Sequence, residues 1–69
     1  MELFVTKHAL DQSRERGISV NEIREAIVKG AKFVQDELEK KIVADYRHLR
    51  VVFKRSGNKY YVVTVMIRR

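Results

Sequence analysis

The spacing of the apolar residues changes at residue 31, and that change limits the chain to folds with helices early and a sheet after them. Up to Gly30 the apolar positions recur every three or four residues, with Ile23, Ala26 and Ile27 on one stripe. This is the repeat of a helix that buries one face. From Ala31 onward the repeat is two, as in Ile42-Ala44-Tyr46 and Leu49-Val51-Phe53, which is the period of a strand.

The helical part carries its own punctuation. Thr6 is a good N-cap, with Val5 before it and Leu10 four residues in, the spacing of a hydrophobic staple. Gly17 supplies the left-handed residue that ends this helix. Ser19 and Glu22 have capping-box spacing, Ile18 and Ile23 the spacing of a second staple, and Gly30 closes the segment. Two helices are expected, roughly over residues 6–16 and 20–29.

Strands are expected over Ala31–Gln35, Lys41–Tyr46, Leu49–Arg55 and Tyr60–Arg68, with polar residues 36–40 and Ser56-Gly57-Asn58-Lys59 as turns. Such short links imply an antiparallel meander. The order of elements predicts an α+β fold: two N-terminal helices packed on one face of a three- to four-stranded antiparallel sheet. With 69 residues there is material for one core, so residues 1–69 form a single domain.

The absence of cysteine removes disulfides, a thiolate nucleophile and Cys-containing zinc sites. Two histidines forty residues apart and scattered acids match no ligand spacing, and there is no Gly-rich phosphate loop. No metal and no cofactor are expected. No apolar run approaches the ~20 residues of a membrane span, and the N-terminal residues lack the apolar stretch of a secretory signal. The expected setting is the cytoplasm, with no membrane partner.

Charge is distributed unevenly. Residues 1–39 hold six basic and eight acidic side chains, whereas residues 40–69 hold nine basic and one acidic, Asp45. A polyanion-binding surface therefore belongs to the C-terminal half. The competing explanation, a charge-rich solvated surface of a heat-adapted protein, would spread both signs evenly.

Alternation assigns the strand residues to faces. Ile42, Ala44, Tyr46, Leu49, Val51 and Phe53, then Tyr61, Val63, Val65 and Ile67, are expected under the helices. The other face would present Lys41, Val43, Asp45, Arg50, Val52 and Lys54, then Tyr60, Val62, Thr64, Met66 and Arg68. Lys41, Arg50, Lys54 and Arg68 can hold phosphates, and Tyr60 can stack a base. The aliphatics of that face leave two further readings open: a partner or a second copy of the chain covers it, or it is plainly solvated.

His8 falls in the first turn of the first helix, where the helix dipole disfavours imidazolium. A neutral imidazole is a candidate general base; the alternative is a hydrogen bond that ties helix to sheet. His48 reads as a solvated turn residue. The cations of the basic face, Arg50 among them, could stabilise the charge of a pentacoordinate phosphorane.

The run His8-Ala9-Leu10-Asp11-Gln12-Ser13-Arg14-Glu15-Arg16-Gly17-Ile18-Ser19 resembles the signature H-A-x-x-R-x-x-x-R-G-I-[ST] of a widespread family of small prokaryotic proteins. A late V-x-T-V segment is matched by Val62-Val63-Thr64-Val65. That family is similar to the barnase–EndoU–colicin–RelE superfamily of metal-independent ribonucleases and toxins. The resemblance implies a RelE-like domain with RNA on its open sheet face and an acidic antitoxin protein as a partner. By position, His8 and Arg16 match the motif's histidine and second arginine, and Thr64 matches its late threonine. Gln12 stands where the first arginine lies, and Met66 where an aromatic follows V-x-T-V.

These readings combine into an expected toxin-type ribonuclease with His8, Arg16, Arg50 and Thr64 as its catalytic set. Its nucleic-acid contacts would be Lys41, Arg50, Lys54, Tyr60 and Arg68. His8 or a lysine would deprotonate a ribose 2′-hydroxyl, giving a 2′,3′-cyclic phosphate. The alternative is a non-catalytic module of the same fold that binds nucleic acid or a partner, or forms a homodimer.

Overall fold

The computed structural model describes residues 1–68. Its elements run β1 (Glu2–Val5), α1 (Lys7–Glu15), α2 (Val20–Lys29), β2 (Ala31–Asp36), β3 (Lys41–Tyr46), β4 (Leu49–Ser56) and β5 (Lys59–Ile67). The five strands form one sheet in the order β1-β5-β4-β3-β2. β2 to β5 are a meander of antiparallel pairs, and β1 lies parallel to β5.

This corrects the expected fold. The sheet has five strands and is mixed, and a strand precedes the two helices. Glu2–Val5 becomes a strand because residues 59–62 at the far end of the sequence supply its hydrogen-bonding partner, with Leu3 opposite Tyr60 and Val5 opposite Val62. No local signal in four residues could announce that pairing.

Both helices start where their caps dictate. The Thr6 hydroxyl accepts the Ala9 N–H at 3.1 Å. Ser19 and Glu22 close a reciprocal box, each side chain taking the other residue's backbone N–H at 3.1 Å. α1 ends as Gly17 takes φ +67°, a conformation that costs glycine little. After α2 the chain turns into β2 at Gly30, whose α-carbon faces the carbonyl oxygens of Ala26 and Asp45 so closely that a β-carbon there would lie 2.8 Å from the Asp45 oxygen.

α1 packs on β5, and α2 on β3 and β4. Beneath them lies the core, built on Ile23, Ile27, Val51, Phe53, Val62 and Val65, with Leu3, Val5 and Ile42 at its margin. Both helices lie on one side of the sheet, and among the described residues the other side carries none. Val43 and Val52 point to that open side and are nevertheless buried.

Alternation predicts the faces of β3 and β4 correctly but fails in β5. Val52 pairs with Thr64 while the next residue, Phe53, pairs with Val62, so Val63 is an extra residue in a β-bulge. The bulge moves every side chain before it to the opposite face. Tyr60 and Val62 therefore belong to the helix side, and Tyr61 to the open side. No helix among the described residues is long and apolar enough to cross a membrane.

Candidate nucleic-acid interface

The open face is best read in rows of residues paired across strands. One row is Ala31, Asp45, Arg50 and Met66; the next is Phe33, Val43, Val52 and Thr64; the third brings Lys41, Lys54, Tyr61 and Phe4 together. The cations expected on this face do share it. Their charges, however, are largely engaged.

Arg50 clamps Asp45, its cross-strand neighbour, with Nε to Oδ1 at 2.7 Å and Nη2 to Oδ2 at 2.8 Å. Arg68 approaches the same carboxylate, Nε to Oδ2 at 3.5 Å, and donates from Nη1 to the Arg47 carbonyl oxygen. The hydrogen bond from Arg50 holds the Asp45 carboxyl below its ordinary range against the opposing effect of burial, and Arg68 adds to the shift. Arg50 is raised in turn, chiefly by its hydrogen bond to Asp45. Lys41 pairs with Glu39 at 2.6 Å, and that carboxylate raises the lysine's pKa. Of the four cations on this face, Lys54 alone is in no ion pair among the described residues.

Aromatic rings occupy two places on the same face. Phe4 and Tyr61 are stacked, centroids 5.2 Å apart and planes 17° from parallel, and they are 44% and 37% exposed. Tyr61 sits opposite Lys54. Phe33 is 47% exposed, and the Arg50 guanidinium lies over its ring at 5.6 Å. Val43 and Val52, buried between these places, do not form the exposed aliphatic patch that alternation alone suggests. Val62 is in the core, and Met66 is half-buried.

Tyr60, the expected stacking residue, is on the wrong side for that role. Its ring packs on Phe53 at 5.7 Å on the helix side of the sheet, at the margin of the core, with the Arg55 guanidinium over it. The exposed aromatics are Phe4, Phe33 and Tyr61. Phe33 lies within the expected strand Ala31–Gln35, whose faces the sequence did not assign, whereas Phe4 needed β1 and Tyr61 needed the bulge.

The four residues expected to act in catalysis are divided by the sheet. Arg50 and Thr64 are on the open face, while His8 and Arg16 belong to α1 on the other side. His8, Gln12 and Arg16 follow one another at intervals of four, so they share a stripe of α1. Gln12 Oε1 accepts the Val65 N–H at 3.0 Å, and this fixes the stripe beside β5 beyond the end of β1. His8 and Arg16 are exposed, and Arg16 donates from Nη1 to the Gln12 carbonyl oxygen at 3.3 Å. His48 lies in the β3–β4 turn, near Glu22 and Glu25, in a pocket of about 60 Å³. Among the described residues no three His, Asp or Glu side chains gather as a metal site would require.

No curated protein and no solved structure matches the chain. One family model, described as a domain of unknown function (DUF4258), matches residues 5–67, a span that takes in both helices and nearly all of the sheet. The chain is therefore a member of the DUF4258 family.

Proposed function

We propose that the chain binds single-stranded RNA across the open face of its sheet. The observation that carries this reading is the stacked Phe4–Tyr61 pair, exposed on a helix-free face and set beside Lys54. Unpaired bases stack on such rings at a gain of ~1–3 kcal/mol each, while a neighbouring ammonium takes phosphate and releases counterions. Arg50 over Phe33 makes a second platform, three strand spacings (about 14 Å) across the sheet from Tyr61 and one row along it. Asp45 orients Arg50 and Arg68 rather than leaving them as free phosphate ligands. Nine of the fifteen basic side chains lie in residues 40–69, which supports an anionic partner for the sheet. A role on RNA would place the chain in the cytoplasm.

A toxin-type ribonuclease is the second reading. It is favoured by the shared stripe of His8, Gln12 and Arg16 along β5, the strand that also carries Thr64. The division of the catalytic set between two sides of the sheet favours binding over cleavage.

One experiment addresses both. A fluorescein-labelled 12-nucleotide RNA is titrated with wild type, Tyr61→Ala and Lys54→Ala by anisotropy, and the same mixtures in EDTA are run on a denaturing gel. Binding weakened at least fivefold by Tyr61→Ala, with intact RNA on the gel, is the expected result. RNA cleaved by wild type and spared by His8→Ala would favour the second reading. Affinity equal in all three proteins would overturn the proposed face.

A further inference from the structure

The helix layer stops short of β2. α2 covers β3 and β4, so the helix-side residues of β2 and the adjoining ends of β3, β4 and β5 are left without a roof. Two hollows of about 300 and 370 Å³ occupy this space and share Ile42 and Arg55, so they form one trough across the strands. Its walls and floor are apolar, with Ile27 and Val28 from α2, and Val34, Ile42 and Phe53 from the sheet. Val28 is 60% exposed and Val34 57%, a high exposure for two aliphatics that flank the same hollow.

The rim is cationic. Lys32, Lys40 and Arg55 border the trough beside one acid, Glu37, and none of the three cations is ion-paired among the described residues. Lys32 Nζ donates only to the carbonyl oxygens of Val28 and Gly30, and Arg55 Nε to that of Gly57. The contrast with the open face is direct. There Lys41, Arg50 and Arg68 are all ion-paired, the two arginines sharing Asp45, whereas here exposed aliphatics meet three cations outside any ion pair among the described residues, against the single acid Glu37.

We infer that this trough is a docking site for an acidic amphipathic helix of another protein. Apolar side chains at i, i+3 or i+4 and i+7 would enter the trough, and Glu or Asp on the flanks would pair with Lys32, Lys40 and Arg55. From Val34 on β2 to Tyr60 on β5 the trough spans three strand spacings, about 14 Å or some nine to ten residues of α-helix. An added strand is a poorer occupant, because β2 bears Lys32 and is broken by an irregularity between Val34 and Asp36. A nucleic-acid strand is poorer still, since of the two rings that line the trough Phe53 is buried and Tyr60 is packed on Phe53 with the Arg55 guanidinium over it, so a base finds no open ring to stack on.

The test uses the whole chain as bait for a phage-displayed library of random 16-residue peptides. Peptides enriched over a bait-free control should be acidic, with large apolar residues at helical spacing. A fluorescein-labelled enriched peptide should lose at least tenfold in affinity for Val34→Asp and for Arg55→Glu, and bind Tyr61→Ala as it binds wild type. Thermal melts of both trough variants establish that they are folded; Val34 and Arg55 are exposed, so the melts should be close to wild type. No enrichment, enrichment of basic peptides, or equal binding to Val34→Asp would overturn the inference. So would a 12-nucleotide RNA that loses affinity for Arg55→Glu and Val34→Asp but not for Tyr61→Ala. Loss of RNA binding in Tyr61→Ala bears on the open face alone, so the two proposals fail separately.

Discussion

Gln12 Oε1 accepts the backbone N–H of Val65 at 3.0 Å, joining α1 to β5 across 53 positions of sequence. β1 pairs with β5 only as far as Val62. Beyond that point a side chain from a helix does for one amide what a neighbouring strand would otherwise do. Gln12→Ala should leave that N–H without its partner, at a cost of about 1–3 kcal/mol. Each kcal/mol lowers the melting temperature of a domain this size by roughly 4–8 °C. Gln12→Glu keeps an acceptor and should lose less. Amide hydrogen exchange at Val65 gives the sharper reading, since it should accelerate in the alanine variant more than at Val51 in the sheet's centre.

Asp45 and Arg50 predict a pH dependence whose sign is set by the direction of the shift. The Asp45 carboxyl is held below its ordinary value of 3.8, mainly by the Arg50 hydrogen bond. Its contribution to stability is present above that value and is lost as the pH falls through the lower folded-state value. Asp45→Asn should therefore melt lower than wild type at pH 7, and its melting temperature should fall less between pH 5 and pH 2. The pair is partly exposed, so about 0.2–1 kcal/mol is expected at neutral pH. The same variant frees Arg50 and Arg68, so RNA affinity should rise and its salt dependence should steepen.

Gly30→Ala should destabilise the fold by about 1–3 kcal/mol, the usual cost of forcing extra atoms into a filled site. The new methyl group would meet the carbonyl oxygens of Ala26 and Asp45, both of them backbone atoms that cannot turn aside. Gly57→Ala makes a useful comparison. Nothing lies near its β-position, so its cost comes from the positive φ alone. Urea denaturation of both variants separates collision from conformational preference.

Tyr60 and Tyr61 are adjacent but on opposite sides of the sheet, and this makes them a matched pair for testing the RNA proposal. Tyr61→Ala should reduce RNA affinity by about 1–3 kcal/mol, the value of one stacked base, with a small change in melting temperature. Tyr60→Ala should do the reverse, since Tyr60 packs against Phe53 in the core margin. Anisotropy titrations and thermal melts on the two proteins provide the comparison.

The helices were legible because their signals are local. Thr6, Ser19 with Glu22, and Gly17 each act within one turn of chain, and the structure uses them as their spacing implies. The alternation in Lys41–Tyr46 and Leu49–Ser56 was equally plain, since apolar and polar residues exchange at every step. β1 and the β5 bulge were not legible, for different reasons. β1 exists by virtue of residues 59–62, and nothing in Glu-Leu-Phe-Val names that partner. The bulge falls within Tyr60-Tyr61-Val62-Val63-Thr64-Val65, where every residue suits a strand and no glycine marks the extra one. Both omissions fell on the candidate site. They removed Phe4 and Tyr61 from the open face and put Tyr60 in their place. The engagement of Arg50 with Asp45 was also hidden, because a pair of opposite charges five positions apart becomes a clamp only once the β3–β4 register sets them side by side.

The parallel seam between β1 and β5 has a consequence for synthesis on the ribosome. Leu3 and Val5 are made well before the residues they lie against, Tyr60 and Val62, each of which follows 57 positions later. A nascent polypeptide must hold that segment unpaired until residues 59–62 have been made. Premature termination before residue 59 would release a product whose first strand has nothing to join, a ready substrate for chaperones and proteases.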